Sequence, residues 1–233
     1  MIKIISFKIC PFVQRVTALL EAKGLEYTVE YISLKDKPQW FLEISPNGQV
    51  PVLVTEDGTA LFESEAIVEY IDEISEPLYS GISREQKAIN RAWGYLASKN
   101  YLVQCSTMRS PTKDVLEERS EKLRSAFLKV EKHLGNDRYF SGKTLGNVDI
   151  AWLPMLHRAD IIERHRGYDM LEGLPKVKEW QGSVLAKGLA ERSVSEDFEE
   201  AFTSFYLSDE TYLGKGKCCT PSTVDTCSEG TCC

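Results

Sequence analysis

The chain has no long apolar run, no excess of positive charge, few histidines and, before residue 218, only Cys10 and Cys105 as cysteines. Each shortage excludes something. A membrane-spanning helix needs about 20 consecutive apolar residues, and none are present. Lys and Arg number 28 against 35 Asp and Glu, a formal net charge of −7. That balance argues against general nucleic-acid or anionic-membrane binding. His133, His157 and His165 fall on helical patterns without metal-ligand spacing, so they are read as structural or surface groups. No tightly bound metal is expected in the folded body. The first residues lack the basic region, apolar core and cleavage site of a secretory leader, so a cytoplasmic location is expected. Five of the 7 cysteines crowd into the last 16 residues and staple no core.

What is present begins with Cys10. The run Ile2 to Ile9 reads as a strand, and Pro11 to Lys23 reads as a helix. Cys10 therefore stands at a helix N-terminus, where unpaired N–H groups and the dipole favour an anion. A thiol there is expected to lose its proton easily, and the thiolate is the reactive form. Proline suits the first helical position. Val13 stands where a C-x-x-C pair would carry its second cysteine, so Cys10 closes no local disulfide. A buried inert cysteine would look alike in isolation; the strand–Cys-Pro–helix context favours a redox or nucleophile site.

The 233 residues divide into two textures. Tyr27 to Ile32 alternates as a strand, and Pro38 to Ile44 is a short helix. Ser45-Pro46-Asn47-Gly48 is a turn, Val50 to Val54 a strand, and Glu56 to Thr59 a hairpin turn into Ala60-Leu61-Phe62. Ser64 is placed as the cap of a helix running to about Ser75. This β-α-β-α-β-β-α unit covers 1–76, and a linker follows at 77–83. From 84 to 213 no strand is convincing. Helices are expected over Glu85 to Met108, Asp114 to Leu134, from Asp149 onward behind Gly146, Pro175 to Leu185 and Glu196 to Tyr206. Residues 214–233 carry no apolar pattern and are read as a flexible cysteine-rich tail. Trp40, Trp152 and Trp180 are assigned to the core.

The first unit resembles the cytosolic glutathione transferases, and within them the omega, cysteine-type class. The matching residues are Cys10-Pro11-Phe12 with Arg15, Leu34-Lys35-Asp36-Lys37-Pro38 with Trp40-Phe41, Pro46-Asn47-Gly48 with Val50-Pro51-Val52-Leu53, and Phe62-Glu63-Ser64-Glu65-Ala66-Ile67 with Glu69-Tyr70. Gly146 to Trp152 is similar to the capping segment of the family's central helix, with Gly146 where Ser or Thr is usual. The resemblance implies an α/β thioredoxin-like N-terminal domain, an all-α C-terminal domain, and a homodimer. Aromatic Trp93, Tyr95 and Tyr101 on several sides of one helix agree with a dimer.

It also implies glutathione as co-substrate. Glutathione offers two carboxylates, an ammonium and a thiol. The main chain of Val50, ahead of Pro51, suits a peptide bound like a further strand. Ser64 and its helix N-terminus suit the γ-glutamyl carboxylate, Glu63 the ammonium, and Lys37 the glycyl carboxylate. Phe12 joins this set by resemblance. Taken singly, Lys37 reads as a solvated surface lysine and Ser64 as a helix cap; together with Cys10 they read as a glutathione site. Tyr101, Met108 and Arg109 are placed at the second-substrate pocket by position.

The expected activity is a glutathione-dependent thiol transferase or reductase with a Cys10 mixed disulfide, acting on a disulfide or small electrophilic substrate, dehydroascorbate among the candidates. The alternative is a non-catalytic binding or regulatory protein on the same fold. In the tail, Cys218, Cys219, Cys227, Cys232 and Cys233 suit a soft metal or metalloid, with disulfide storage, a thiol resolving Cys10, and an inert appendage as the other readings.

Overall fold

A computed structural model of the protein describes residues 1–215. The tail readings, including Cys218, Cys219, Cys227, Cys232 and Cys233, lie outside the described residues. All four strands come early: β1 (Ile2–Ser6), β2 (Tyr27–Tyr31), β3 (Val52–Val54) and β4 (Ala60–Phe62). They form one sheet in the order β2-β1-β3-β4. β1 and β2 are parallel, while β3 runs antiparallel to both β1 and β4. The parallel pair needs a crossover, and α1 (Pro11–Lys23) supplies it.

Alternation along the strands decides which face each helix covers. Ile4 and Leu53 join the main core with Val16, Leu19 and Leu20 of α1 and with Ile67 and Ile71 of α3 (Ser64–Glu73). Ile5 and Val52 point the other way and meet Phe41 of α2 (Gln39–Ile44). Only Phe41 of α2 is buried. Trp40 is 39% exposed, so it does not join the core as expected; it lies on the solvent side of a six-residue helix.

The rest is helical: α4 (Arg84–Met108), α5 (Lys113–His133), α6 (Asn147–Arg166), α7 (Pro175–Leu185), α8 (Leu189–Arg192), α9 (Phe198–Tyr206) and α10 (Tyr212–Lys215). Ser83 caps α4 and Thr112 caps α5 through their side chains. α6 is buried along most of its length, Trp152 included, and packs against α1, α4 and α7. Trp180 of α7 is also core.

Three expectations need correction. Ser64 does not cap α3: it is the first helical residue, Glu63 holds the cap position, and no side chain caps the end. The third strand starts at Val52 rather than Val50, since Pro51 has no N–H for a ladder. Gly214 is buried within α10 rather than the start of a loose tail, its N–H donating to Thr211 Oγ1 at 3.0 Å.

Candidate active site

Cys10 is where the sequence places it, at the N-cap of α1 with an extended backbone. Its N–H donates to Phe7 O at 3.0 Å, and its carbonyl accepts from Gln14 N at 3.1 Å. The thiol is free and half-buried. A polar network buried between α1 and α6 fixes this end of the helix. Arg158 Nη2 donates to Ile9 O at 3.0 Å, and Nη1 donates to Pro154 O at 2.9 Å and to Gln14 Oε1. Gln14 Nε2 donates to His157 Nδ1 at 2.9 Å, and the Thr17 hydroxyl donates to Ser193 O at 2.7 Å.

The electrostatics depart from the expectation of an acidic thiol. Burial pushes the Cys10 thiol up to about 11. The backbone N–H groups of Val13 and Phe12 and the Arg158 charge pull it down, and Cys105 pushes it up again. The helix terminus acts in the direction the sequence implies, but desolvation outweighs it.

Beside Phe12 lies a cavity of about 250 Å³. Its walls include Phe12, Val50, Pro51, Glu63 and Ser64, five of the six residues expected to meet glutathione. Cys10 itself is not one of its walls. The Val50–Pro51 peptide is cis. Glu63 has φ +67°, the one positive φ on a non-glycine residue among the described residues. Such strain gathers at ligand clamps and active sites. Asn47 Nδ2 donates to Glu63 Oε1 at 2.8 Å and restrains that carboxylate. Lys37 is outside the cavity walls; its Nζ lies beside Gly48, next to Asn47.

Of the three residues placed at the second-substrate pocket, Tyr101 is fully buried behind the site: its ring meets Phe12 edge-on at 5.0 Å, and its hydroxyl donates to Ala151 O. Met108 is fully buried, and Arg109 is exposed with its guanidinium 4.7 Å from the Phe205 ring. Sequence reasoning missed Asn47, Gln49, Ser98 and Lys99 along the cavity. It also missed Cys105, Arg158 and Tyr206 around Cys10. Asn47 stood inside a recognised turn and Gln49 directly after it; the others carry no pattern that separates them from ordinary helix residues. A further cavity of about 290 Å³, walled by Arg15, Asp72, Tyr79 and Arg91 among others, lies between α3, the following linker and α4.

Residues 9–74 match the family described as "Glutathione S-transferase, N-terminal domain", and residues 113–180 match "Glutathione S-transferase, C-terminal domain". The chain is 32% identical over 217 residues to glutathione S-transferase omega-1 of Rattus norvegicus, covering 89% of this chain and 87% of that one. It is 27% identical over 180 residues to a probable cytosolic glutathione S-transferase DHAR1 of Oryza sativa subsp. japonica, covering 76% and 80%. The solved structure of rice GST1 in complex with glutathione superposes with a TM-score of 0.75 at 21% identity, over 88% of this chain and 96% of that one.

Proposed function

The chain belongs to the glutathione S-transferase family, and from that premise we propose that it is a glutathione-dependent thiol transferase or reductase working through a mixed disulfide on Cys10. The observation that carries this reading is a free cysteine at the N-cap of α1, two residues from Phe12, which walls the cavity shared by Val50, Pro51, Glu63 and Ser64. In the first step the Cys10 thiolate attacks one sulfur of a disulfide. A bond to Cys10 forms, and the other sulfur leaves with the electron pair. Glutathione, as its thiolate, then attacks the mixed disulfide and frees Cys10.

The α-carboxylate of glutathione fits the N-terminus of α3 beside Ser64, and Glu63 takes the ammonium. Val50 offers main-chain bonds to the peptide, and Lys37 meets the glycyl carboxylate from the rim. Tyr101, buried behind Phe12, backs that ring where it walls the site. Glutathione is a co-substrate here rather than a resident group. The same reading takes the protein as a cytoplasmic homodimer.

One observation favours a second reading. A thiol pushed up to about 11 is a poor nucleophile at neutral pH, which suits a protein that binds glutathione without turning it over. The two are separated by assaying glutathione with dehydroascorbate, small disulfides, phenacyl-glutathiones and an aryl halide, with Cys10→Ala and Cys10→Ser as partners. Reduction that vanishes in both variants supports the enzyme. Reduction that survives in Cys10→Ala rejects the mechanism. Retention on immobilised glutathione without any turnover supports the binding role.

A further inference from the structure

Arg158 is fully buried and forms no ion pair with a carboxylate among the described residues. Its named acceptors are Ile9 O, Pro154 O and Gln14 Oε1, all neutral, and its Nε has no hydrogen-bond partner. Its guanidinium carbon lies 5.4 Å from the Phe198 ring. An uncompensated charge in such a place costs several kcal/mol or more. Something must take up the charge.

The acidic groups that face it are Cys10, Cys105, Tyr101 and Tyr206. The packing of α4 on α6 explains the arrangement. Tyr101 bonds Ala151 and Gln104 bonds Met155, so the two helices run side by side in the same direction. Cys105 is one turn past Tyr101, and Arg158 is one turn past Met155. The bond to Ile9 O brings Arg158 next to the residue that precedes Cys10. The two tyrosines are the weaker acids: burial and the neighbouring Cys105 push the Tyr206 hydroxyl up, and burial pushes up the Tyr101 hydroxyl, which is held by Ala151 O. The other ionisable neighbours are accounted for. Burial keeps His157 neutral, and Glu65 pairs with Arg15 at 2.7 Å. Cys10 alone faces free helix N–H groups, those of Phe12 and Val13.

We propose that Arg158 is a positioning residue for Cys10: its guanidinium balances the negative charge that collects on the Cys10 sulfur during thiol–disulfide exchange. The inference rests on the reading of Cys10 as the working thiol. In the release step a glutathione thiolate, its proton already given to solvent, attacks the glutathionyl sulfur of the mixed disulfide. A bond forms between the two glutathione sulfurs, the bond to Cys10 breaks, and Cys10 keeps the electron pair. A preorganised cation at that point favours the charge-separated arrangement, and a more acidic leaving thiol departs faster. In a site where burial works against the thiolate, Arg158 keeps Cys10 usable.

The test uses the full chain. Arg158→Met removes the charge and keeps most of the bulk; Arg158→Lys keeps a charge but cannot hold Ile9 O and Gln14 at once. Two quantities are followed: alkylation of Cys10 by iodoacetamide between neutral and alkaline pH, read by peptide mass, and release of glutathione from the preformed Cys10 mixed disulfide. Arg158→Met is expected to slow both by roughly three- to fourfold, the net effect of a one-unit rise in thiol pKa. Arg158→Lys should fall between it and the parent. Equal losses in the two variants would mean a structural role and overturn the proposal, as would parental rates in folded Arg158→Met. Where circular dichroism shows Arg158→Met unfolded, Arg158→Gln takes its place as the charge-removing variant, and parental rates in folded Arg158→Gln overturn the proposal. Retained turnover in Cys10→Ser beside slowed alkylation in Arg158→Met would sink the proposed enzyme mechanism and leave the electrostatic role of Arg158 standing.

Discussion

Trp180 of α7 donates its indole N–H to Asp149 Oδ1 of α6 at 2.6 Å. The same oxygen accepts from Phe140 N at 2.9 Å, and Oδ2 accepts from Gly146 N at 2.8 Å. Asp149 is fully buried, so one carboxylate satisfies three donors that water does not reach. It caps the first turn of α6 from inside, which lets a glycine stand at the N-cap.

Removing that carboxylate should therefore be severe. Asp149→Ala strands three buried N–H groups, each worth about 1–3 kcal/mol when unpaired. A loss of about 3 kcal/mol or more is expected from urea unfolding, with Asp149→Asn losing less because one oxygen remains. An Asp149→Ala protein as stable as the parent would contradict this account of α6.

His157 sets a pH dependence. Burial pushes its pKa down from 6.5 to about 3. The folded protein holds the ring neutral, while the unfolded chain protonates it below pH 6.5. The stabilisation is complete above that pH and is lost as pH falls towards 3, reaching about 2 kcal/mol at pH 5. His157→Gln should flatten this part of the stability profile between pH 7 and 5. A parental slope in the variant would assign the dependence to other groups.

Ser64 separates binding from folding. It is buried, but its hydroxyl makes no capping bond in α3. Ser64→Ala is expected to change the unfolding midpoint little and to weaken glutathione roughly tenfold, as loss of a hydrogen bond to a charged group does. A large stability loss with unchanged KM for glutathione would reverse that assignment.

The dimer makes a narrower prediction than the sequence offered. Trp93 packs against Phe140 and His133 within the chain, and Tyr101 is core. Tyr95, Ile89 and Leu102 are the large apolar side chains of α4 left exposed, with Leu102 65% exposed. Light scattering should give twice the 26.4 kDa chain mass, and Leu102→Glu should lower it. A parental species near the single-chain mass at micromolar concentration rejects the dimer.

Local pattern made much of the fold legible. The bounds of α1 and α7 agree with the sequence to the residue, because a proline opens each and Gly24, with φ +65°, closes the first. Five of the cavity's walls, Phe12, Val50, Pro51, Glu63 and Ser64, were legible because they sit at helix starts and a strand start with strong signals. The end of α3 was not, since Glu63 and Ser64 are neighbouring polar residues and only the backbone, with φ +67° at Glu63, says which is the cap. The fate of Trp40 was hidden by the shortness of α2. The thiol's rise to about 11 was hidden for a deeper reason: burial comes from helices far along the chain, α4 and α6 among them, that pack on α1, and local spacing carries no trace of it. Arg158 is illegible in the same way, one arginine in a helix whose acidic and basic residues balance.

The far face of the sheet rests on three fully buried side chains, Ile5, Val52 and Phe41. With so little anchoring α2, the stretch from Lys37 to Asn47 should open without the rest of the protein unfolding. Its amides should exchange with deuterium sooner than those of α1, which is buried along most of its length. Lys37 and Asn47 close opposite ends of that stretch; Asn47 walls the cavity proposed for glutathione, and Lys37 Nζ lies beside Gly48, next to it. A peptide seated there borrows its affinity from a segment it must also hold shut. Tight binding and slow exchange over Lys37 to Asn47 should therefore rise and fall together.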